Sequence, residues 1–228
     1  TEKLEKALQE FVNNGGTIVC ESECGAFTPQ GFYRYPEDRF TVKLTGAAEV
    51  GRRTIDKSIS VKNGKSNFTL EPYQWLTPLK GGKPTVFASH KDGALTAEYT
   101  SGKGRVIFTG SYFAEPYLER WNSGFEELVS LCCSRAHISP SVFPISPKKT
   151  AKSFLYIKTG VANGRKVIFL FFPEGSKKGT ISVNSTFIKS GKVSEIISGK
   201  KISGIKKGKD FAFTVESSDL RTAILIEE

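Results

Sequence analysis

The chain is poor in the residues on which most enzyme chemistry depends. Its 228 residues include two histidines, His90 and His137. Neither stands at metal-ligand spacing from the other or from a cysteine. Four cysteines are present: Cys20, Cys24, Cys132 and Cys133. C-x3-C plus a vicinal pair is not a zinc-ribbon spacing, and four cysteines are too few for a disulfide scaffold of this length. They read as reduced thiols, a state in which cysteine behaves as a small apolar residue. No G-x-S-x-G elbow, P-loop or G-x-G-x-x-G occurs, which argues against the hydrolase, nucleotide and dinucleotide classes built on them. Ser101-Gly102-Lys103-Gly104 places its lysine in a hairpin turn, not at the start of a helix. No cofactor or metal is expected. Long apolar runs are missing too. Residues 167–172 form the longest, far short of a bilayer span. No basic-then-apolar signal segment opens the chain, so no membrane association is expected and the compartment stays open.

The composition is that of a globular chain, with 38% hydrophobic and 25% charged residues. The net charge of +10 is unevenly spread. Residues 1–140 hold 17 Lys/Arg against 16 Asp/Glu; residues 141–228 hold 16 against 7. Such asymmetry predicts two domains. Pro140, Pro144 and Pro147 interrupt any helix between them and predict a link there. The excess lysines fall in pairs beside Gly and Ser, as at Lys177-Lys178 and Lys206-Lys207. That is the pattern of solvated turns, so nucleic-acid binding is not expected.

Local patterns fill in the two halves. Leu4, Ala7, Leu8, Phe11 and Val12 make one apolar helical stripe. Gly15 follows at a position that suits a helix end, and residues 17–20 read as a short strand. This αβ unit implies a layered α/β fold. No strand precedes it, so the chain reads as the tail of a longer protein. Lys62-Asn63-Gly64-Lys65 signals a hairpin. Residues 95–100 and 105–109 make a second one, with Leu95, Ala97 and Tyr99 on one face. Ser123 with Glu126 forms a capping box for a helix whose stripe is Phe125, Leu128, Val129, Cys132 and Ala136. Beyond residue 141 short strands and Gly/Ser/Lys turns predict an antiparallel β sandwich.

Candidate site residues cluster after the first strand. Residues 21–36 form a long polar and aromatic loop, and such loops are functional or lie at interfaces. Glu21 and Glu23 are two apart and share a side if extended, as a glycosidase pair would; loop solvation is the plainer reading. Cys24 with His90 and Glu98 is a conceivable Cys–His–acid set. Class I glutamine amidotransferases flank their nucleophile with glycines, G-x-C-x-G, whereas Ser22 and Glu23 precede Cys24 here, so Cys24 reads as structural. Phe32, Tyr33 and Tyr35 are candidate interface residues. Trp75 and Trp121 are candidate sugar-stacking residues.

The order of motifs resembles one family. Residues 8–19, LQEFVNNGGTIV, are similar to the L-x-x-Y-V-x-x-G-G-x-L-V segment in the middle domain of family 42 glycoside hydrolases, the β-galactosidase-like enzymes. Residues 31–46, with Tyr35-Pro36 and Leu44-Thr45-Gly46, resemble the loop after that strand. Residues 99–110, YTSGKGRVIFTG, resemble its closing hairpin, and the last 80 or so residues resemble the family's terminal β domain. The likeness implies a glutamine-amidotransferase-like (flavodoxin-like) layered domain over residues 1–140, without a working triad, and a small antiparallel β sandwich over 141–228. It implies a non-catalytic C-terminal portion of a glycosidase, used for oligomerisation and for shaping the active site. Its partners would be an N-terminal catalytic barrel, further copies of the chain and carbohydrate. The barrel would hold the catalytic carboxylates, so no catalytic residue is assigned here. The alternatives are a carbohydrate-binding or adhesion module, or a small amidotransferase-like hydrolase using Cys24.

Overall fold

The computed structural model describes residues 2–55, 57–64, 66–119, 122–145, 156–172, 178–216 and 221–226. The chain divides into two compact units, Thr1–Ile138 and Ser139–Glu228.

The first unit is built on one mixed sheet. Its strand order is β1 (Thr17–Cys20), β8 (Gly104–Thr109), β7 (Gly93–Ser101), β5 (Leu79–Gly81) and β2 (Ala47–Glu49), with β6 (Thr85–His90) also paired to β7. Among the described strands only β1 and β8 run parallel; the other pairings are antiparallel. A separate hairpin, β3 (Ile59–Asn63) and β4 (Ser66–Leu70), turns at Gly64 with φ +58°.

The sheet buries both faces. Along β8, Val106 and Phe108 join a core with Val12 of α1 (Glu2–Asn13) and with Phe40 and Leu44 of α2 (Phe40–Thr45). Ile107, pointing the other way, joins a core with the β3–β4 hairpin and with Leu128 and Leu131 of α4 (Ser123–Arg135). Leu95 belongs to this second core, while Ala97 and Tyr99 belong to the first. The expected single face is broken because the β6–β7 register shifts around Ala88, where Thr96 and then Ala94 find partners and Leu95 is skipped. A bulge of this kind reverses the alternation.

Two packing contacts demand glycine. A Cβ on Gly104 would stand 2.3 Å from the Val12 carbonyl oxygen, so α1 can end directly against β8. One on Gly124 would stand 1.7 Å from the Thr69 oxygen, which lets α4 start against β4. The α4 cap is Asn122, whose Oδ1 accepts from the Gly124 and Phe125 amides at 2.8 and 3.3 Å. Ser123, expected as the cap, is the first helical residue. Val129, expected inside, is exposed, and Leu131 is buried in its place. In α1, Leu4 and Phe11 of the expected stripe are also exposed, and Val12 is the buried residue.

The second unit has two antiparallel sheets. One runs β10 (Tyr156–Ala162), β11 (Arg165–Phe171), β17 (Arg221–Ile226), β13 (Lys192–Glu195), β14 (Lys201–Ser203). The other runs β15 (Ile205–Lys207), β16 (Asp210–Glu216), β12 (Lys178–Asn184), β9 (Val142–Ile145). Ile168, Leu170 and Ile224 of the first sheet share one core with Ile181, Val183 and Phe213 of the second. Residues 142–145, expected within the proline link, are therefore a strand. Pro144 fits because β9 lies at a sheet edge, where a missing amide is tolerated. Pro147 and residues 148–149 of the expected link lie outside the described residues.

Glu195 pins this unit. Its carboxylate accepts from the Ile197 amide at 3.2 Å, the Ser198 amide at 2.6 Å and the Thr222 hydroxyl at 2.5 Å. Burial alone would push its pKa up; the bonds from Ser198, Thr222 and Ile197 outweigh it and hold the group at about 2. A carboxylate with a depressed pKa stabilises the fold above its unfolded value near 4.5, and that contribution is lost as pH falls toward about 2. Solvent screening reduces the free energy to roughly 1–2 kcal/mol. Acid titration of thermal stability should show this loss, and Glu195→Gln should flatten the curve between those limits. An unchanged slope in the variant would assign the acid sensitivity to other groups.

Candidate functional site

The chain segments leaving β1 and β8 meet at the carboxyl ends of the parallel pair, the place where ligands sit in open α/β sheets. Residues 21–25 follow β1, and residues 110–113 follow β8. Glu49, at the end of β2, reaches the same place. It is four strands away from β1 in the sheet order, so the sheet curls to bring its two edges together.

Glu49 is the hub of a buried polar knot. Its Oε1 accepts from the Ser22 hydroxyl at 2.9 Å, the Thr77 hydroxyl at 2.8 Å and the Glu23 amide at 2.9 Å. Its Oε2 accepts from Arg39, and both side chains are almost fully buried, at 3% and 2% exposure. Arg39 stands just before α2 and also donates to the Tyr33 hydroxyl at 2.6 Å. A buried charge pair is tolerated only when its lone pairs are filled in this way.

Glu23 forms a second layer. Its φ of +60° places a non-glycine residue in the left-handed region, which costs of order 1–3 kcal/mol. The bonds around it hold it there. Glu23 Oε1 accepts from Arg52 Nε and NH2 at 3.1 and 2.7 Å, and Oε2 accepts from the Tyr112 hydroxyl at 3.2 Å. Burial, reinforced by Glu23, pushes the Tyr112 phenol up to about 12. The Arg52 guanidinium lies 3.7 Å from the centre of the Trp75 ring, and Trp75 meets Tyr112 edge-on at 5.7 Å. A cation at that distance covers one indole face.

Glu21 has a different task. Its Oε1 accepts from the Phe113 and Ala114 amides at 2.8 and 3.0 Å, capping the start of α3 (Ala114–Glu119). Glu21 and Glu23 are thus both committed to the protein's own donors.

The Cys–His–acid set is not assembled. Cys24 is partly buried and packs against the core that holds Cys20, Phe40 and Leu44. The His90 ring accepts from the Asp92 amide at 3.2 Å and lies 3.6 Å from the Asp92 carboxylate. Glu98 lies between Arg105 at 3.6 Å and Arg135 at 3.5 Å. Among the described residues no group of three or more His, Cys, Asp or Glu could hold a metal ion.

The aromatic part of the loop forms an ordered tip. Phe27 and Tyr33 pair across it edge-on at 5.6 Å. The Thr28 amide donates to the Phe32 carbonyl at 2.8 Å. Phe27, Phe32, Tyr33 and Tyr35 are exposed by 61, 72, 49 and 72%. Trp121 lies outside the described residues. Sequence reading missed Arg39, Glu49, Arg52, Thr77 and Tyr112. Their partners lie 6 to 89 residues away, and no local motif signals such bonds.

No family model matches the sequence, and no curated protein sequence matches it. Solved structures do share the fold. A β-galactosidase from Bacillus circulans sp. alkalophilus matches 98% of this chain over 31% of its own, at TM-score 0.70 and 11% identity. Gan42B, a GH42 β-galactosidase from G. stearothermophilus, matches 100% of this chain over 30% of its own, at 0.68 and 16%. Alpha-L-fucosidase isoenzyme 2 from Paenibacillus thiaminolyticus matches 97% over 38%, at 0.64 and 13%. The chain has the fold of a part of these glycosidases and spans 30–38% of their length.

Proposed function

We propose that this chain is a non-catalytic portion of a β-galactosidase-like glycoside hydrolase, serving subunit assembly and the shaping of an active site carried elsewhere. The observation that carries this reading is coverage. Nearly all of the chain corresponds to under a third of the matching β-galactosidases. The local chemistry supports it. A hydrolytic pair needs one carboxyl to deliver a proton and another to attack or to activate water. Glu21 is spent on a helix start, and Glu23 on an arginine and a phenol. The acid–base pair then belongs to an N-terminal barrel, the partner the family likeness implies.

Within this reading the first unit is an amidotransferase-like layer that has lost its triad. The left-handed residue after β1 stands where such folds turn sharply, and it is Glu23, followed by Cys24. The sugar is not written in this portion, since an α-L-fucosidase shares its fold. A carbohydrate-binding module is the weaker reading, because Arg52 already occupies one face of Trp75. The gene upstream of Thr1 tests the proposal. The expected result is a run of strand–helix repeats with two carboxylates at strand ends. A start codon directly before Thr1 would overturn it.

A further inference from the structure

We propose that the outer face of the β10–β11–β17–β13–β14 sheet binds an acidic polysaccharide, its sugar rings on exposed aromatic side chains and its carboxylates on the basic residues around them. The surface is read from the second unit alone; the choice of a sugar polymer rests on the glycosidase reading. Register defines the face. Ile168, Leu170 and Ile224 point into the core, so Phe169 and Phe171 of β11 point out. Phe171 pairs with Tyr156 of β10, and Phe169 with Lys158. On its other side Phe171 pairs with Arg221 of β17. Tyr156, Phe169 and Phe171 are all exposed, and the Tyr156 and Phe171 rings lie 5.6 Å apart. Gly160 puts no side chain beside Phe169, whose ring lies 3.8 Å from where a Cβ would stand.

The other sheet of the unit shows what an ordinary wet face looks like. On β12 and β16 the core residues are Ile181, Val183 and Phe213. The alternate positions carry Thr180 and Thr214, whose hydroxyls are 3.2 Å apart, and an ion pair of Lys178 with Glu216 at 2.5 Å. Antiparallel sheets place such polar residues on the side away from the core. Contiguous exposed aromatic surface in their place marks an interaction site.

Charge names the partner. Lys158, Arg165, Arg221, Lys192 and Lys201 stand at outward positions, one on each strand of the sheet. Among the described strand positions of that face there is no Asp or Glu. Four strand spacings carry this basic series across about 19 Å, which matches a polymer of repeated charges and not a single anion. Such a face repels a second copy of itself, and lysine is depleted where proteins bury lasting contacts with one another. An acidic glycan meets both parts of the surface. The C–H bonds on one side of a pyranose lie against an aromatic face, and its carboxylate stands at the ring edge within reach of an ammonium group. Lys158 is already held beside the aromatic patch, its Nζ 5.7 Å from the centre of the Tyr156 ring.

The test is calorimetric titration of the whole chain with oligogalacturonate, with neutral galactan and oligothymidylate as parallel probes. Oligogalacturonate should bind, less tightly as salt is raised, and more tightly than either of the other two. Phe169→Ala with Phe171→Ala should weaken binding about tenfold, the effect of losing an aromatic anchor. Lys158→Glu with Lys201→Glu should weaken it at least as much. Lys206→Glu with Lys207→Glu makes the same change in charge on β15 of the other sheet, and should leave binding nearly unchanged. All six positions are exposed, so these variants should keep the wild-type melting temperature. No binding of oligogalacturonate, an equal loss in both lysine pairs, or tighter binding of galactan or oligothymidylate would overturn the proposal. The titration reads binding and not hydrolysis, so each of these results leaves the glycosidase reading to its own test upstream of Thr1.

Discussion

Replacing Glu49 by alanine is expected to destabilise the first unit by about 3–5 kcal/mol, the cost of stranding one member of a buried ion pair. The variant leaves the Arg39 guanidinium at 2% exposure without its carboxylate. It also orphans the Ser22 and Thr77 hydroxyls and the Glu23 amide. Each buried donor left unpaired adds its own desolvation cost, about 1–3 kcal/mol, although Ser22 and Thr77 can turn to each other across their 2.7 Å contact. Urea unfolding followed by tryptophan fluorescence measures the loss. The double variant Arg39→Met with Glu49→Leu should recover much of it, because buried pairs are often replaceable by apolar residues of similar volume. A loss under about 1 kcal/mol in Glu49→Ala would show that the knot behaves like an exposed pair.

On the proposed reading of this chain as an assembly portion, Phe32→Ala with Tyr35→Ala in the full-length protein should reduce an oligomer to monomers. Both side chains are 72% exposed on a tip that backbone hydrogen bonds hold in shape. Preformed aromatic surface of this kind is enriched at the centre of interfaces and carries much of their energy. Tyr33 is left in place because its hydroxyl accepts from Arg39 and its loss would disturb the knot. The second unit is the weaker candidate for self-contact, since residues 141–228 carry 16 Lys/Arg against 7 Asp/Glu and like-charged faces repel. Light scattering reads the mass. An unchanged oligomer, or one broken only by deleting residues 139–228, would place the assembly surface elsewhere.

Elements set by local pattern were legible in the sequence. The strand Thr17–Cys20 and the strand Ser66–Leu70 fall where apolar pattern and turn residues put them. The order of motifs also pointed to the fold later matched by solved structures. What escaped was set by distant contacts. Asn122 outcompetes Ser123 as a cap, because its longer side chain reaches two amides at once. Leu95 leaves its expected face because a bulge, invisible in the pattern, reverses the alternation. Pro144 reads as a breaker until β9 is known to be an edge strand. At the site, Glu21 and Glu23 were found as residues but not as roles. Their partners come from strand ends up to 93 positions away. Glu49 looks like an ordinary polar residue in a three-residue strand; only the curl of the sheet makes it a hub.

The most direct measurement is turnover of a panel of aryl glycosides, galactosides and fucosides included, by the purified chain. With both loop carboxylates engaged by the protein's own donors, no hydrolysis above buffer is expected at any enzyme concentration. Turnover that persists through purification to homogeneity, and is abolished by Glu21→Gln or Glu23→Gln, would contradict the assignment of this chain as a non-catalytic part.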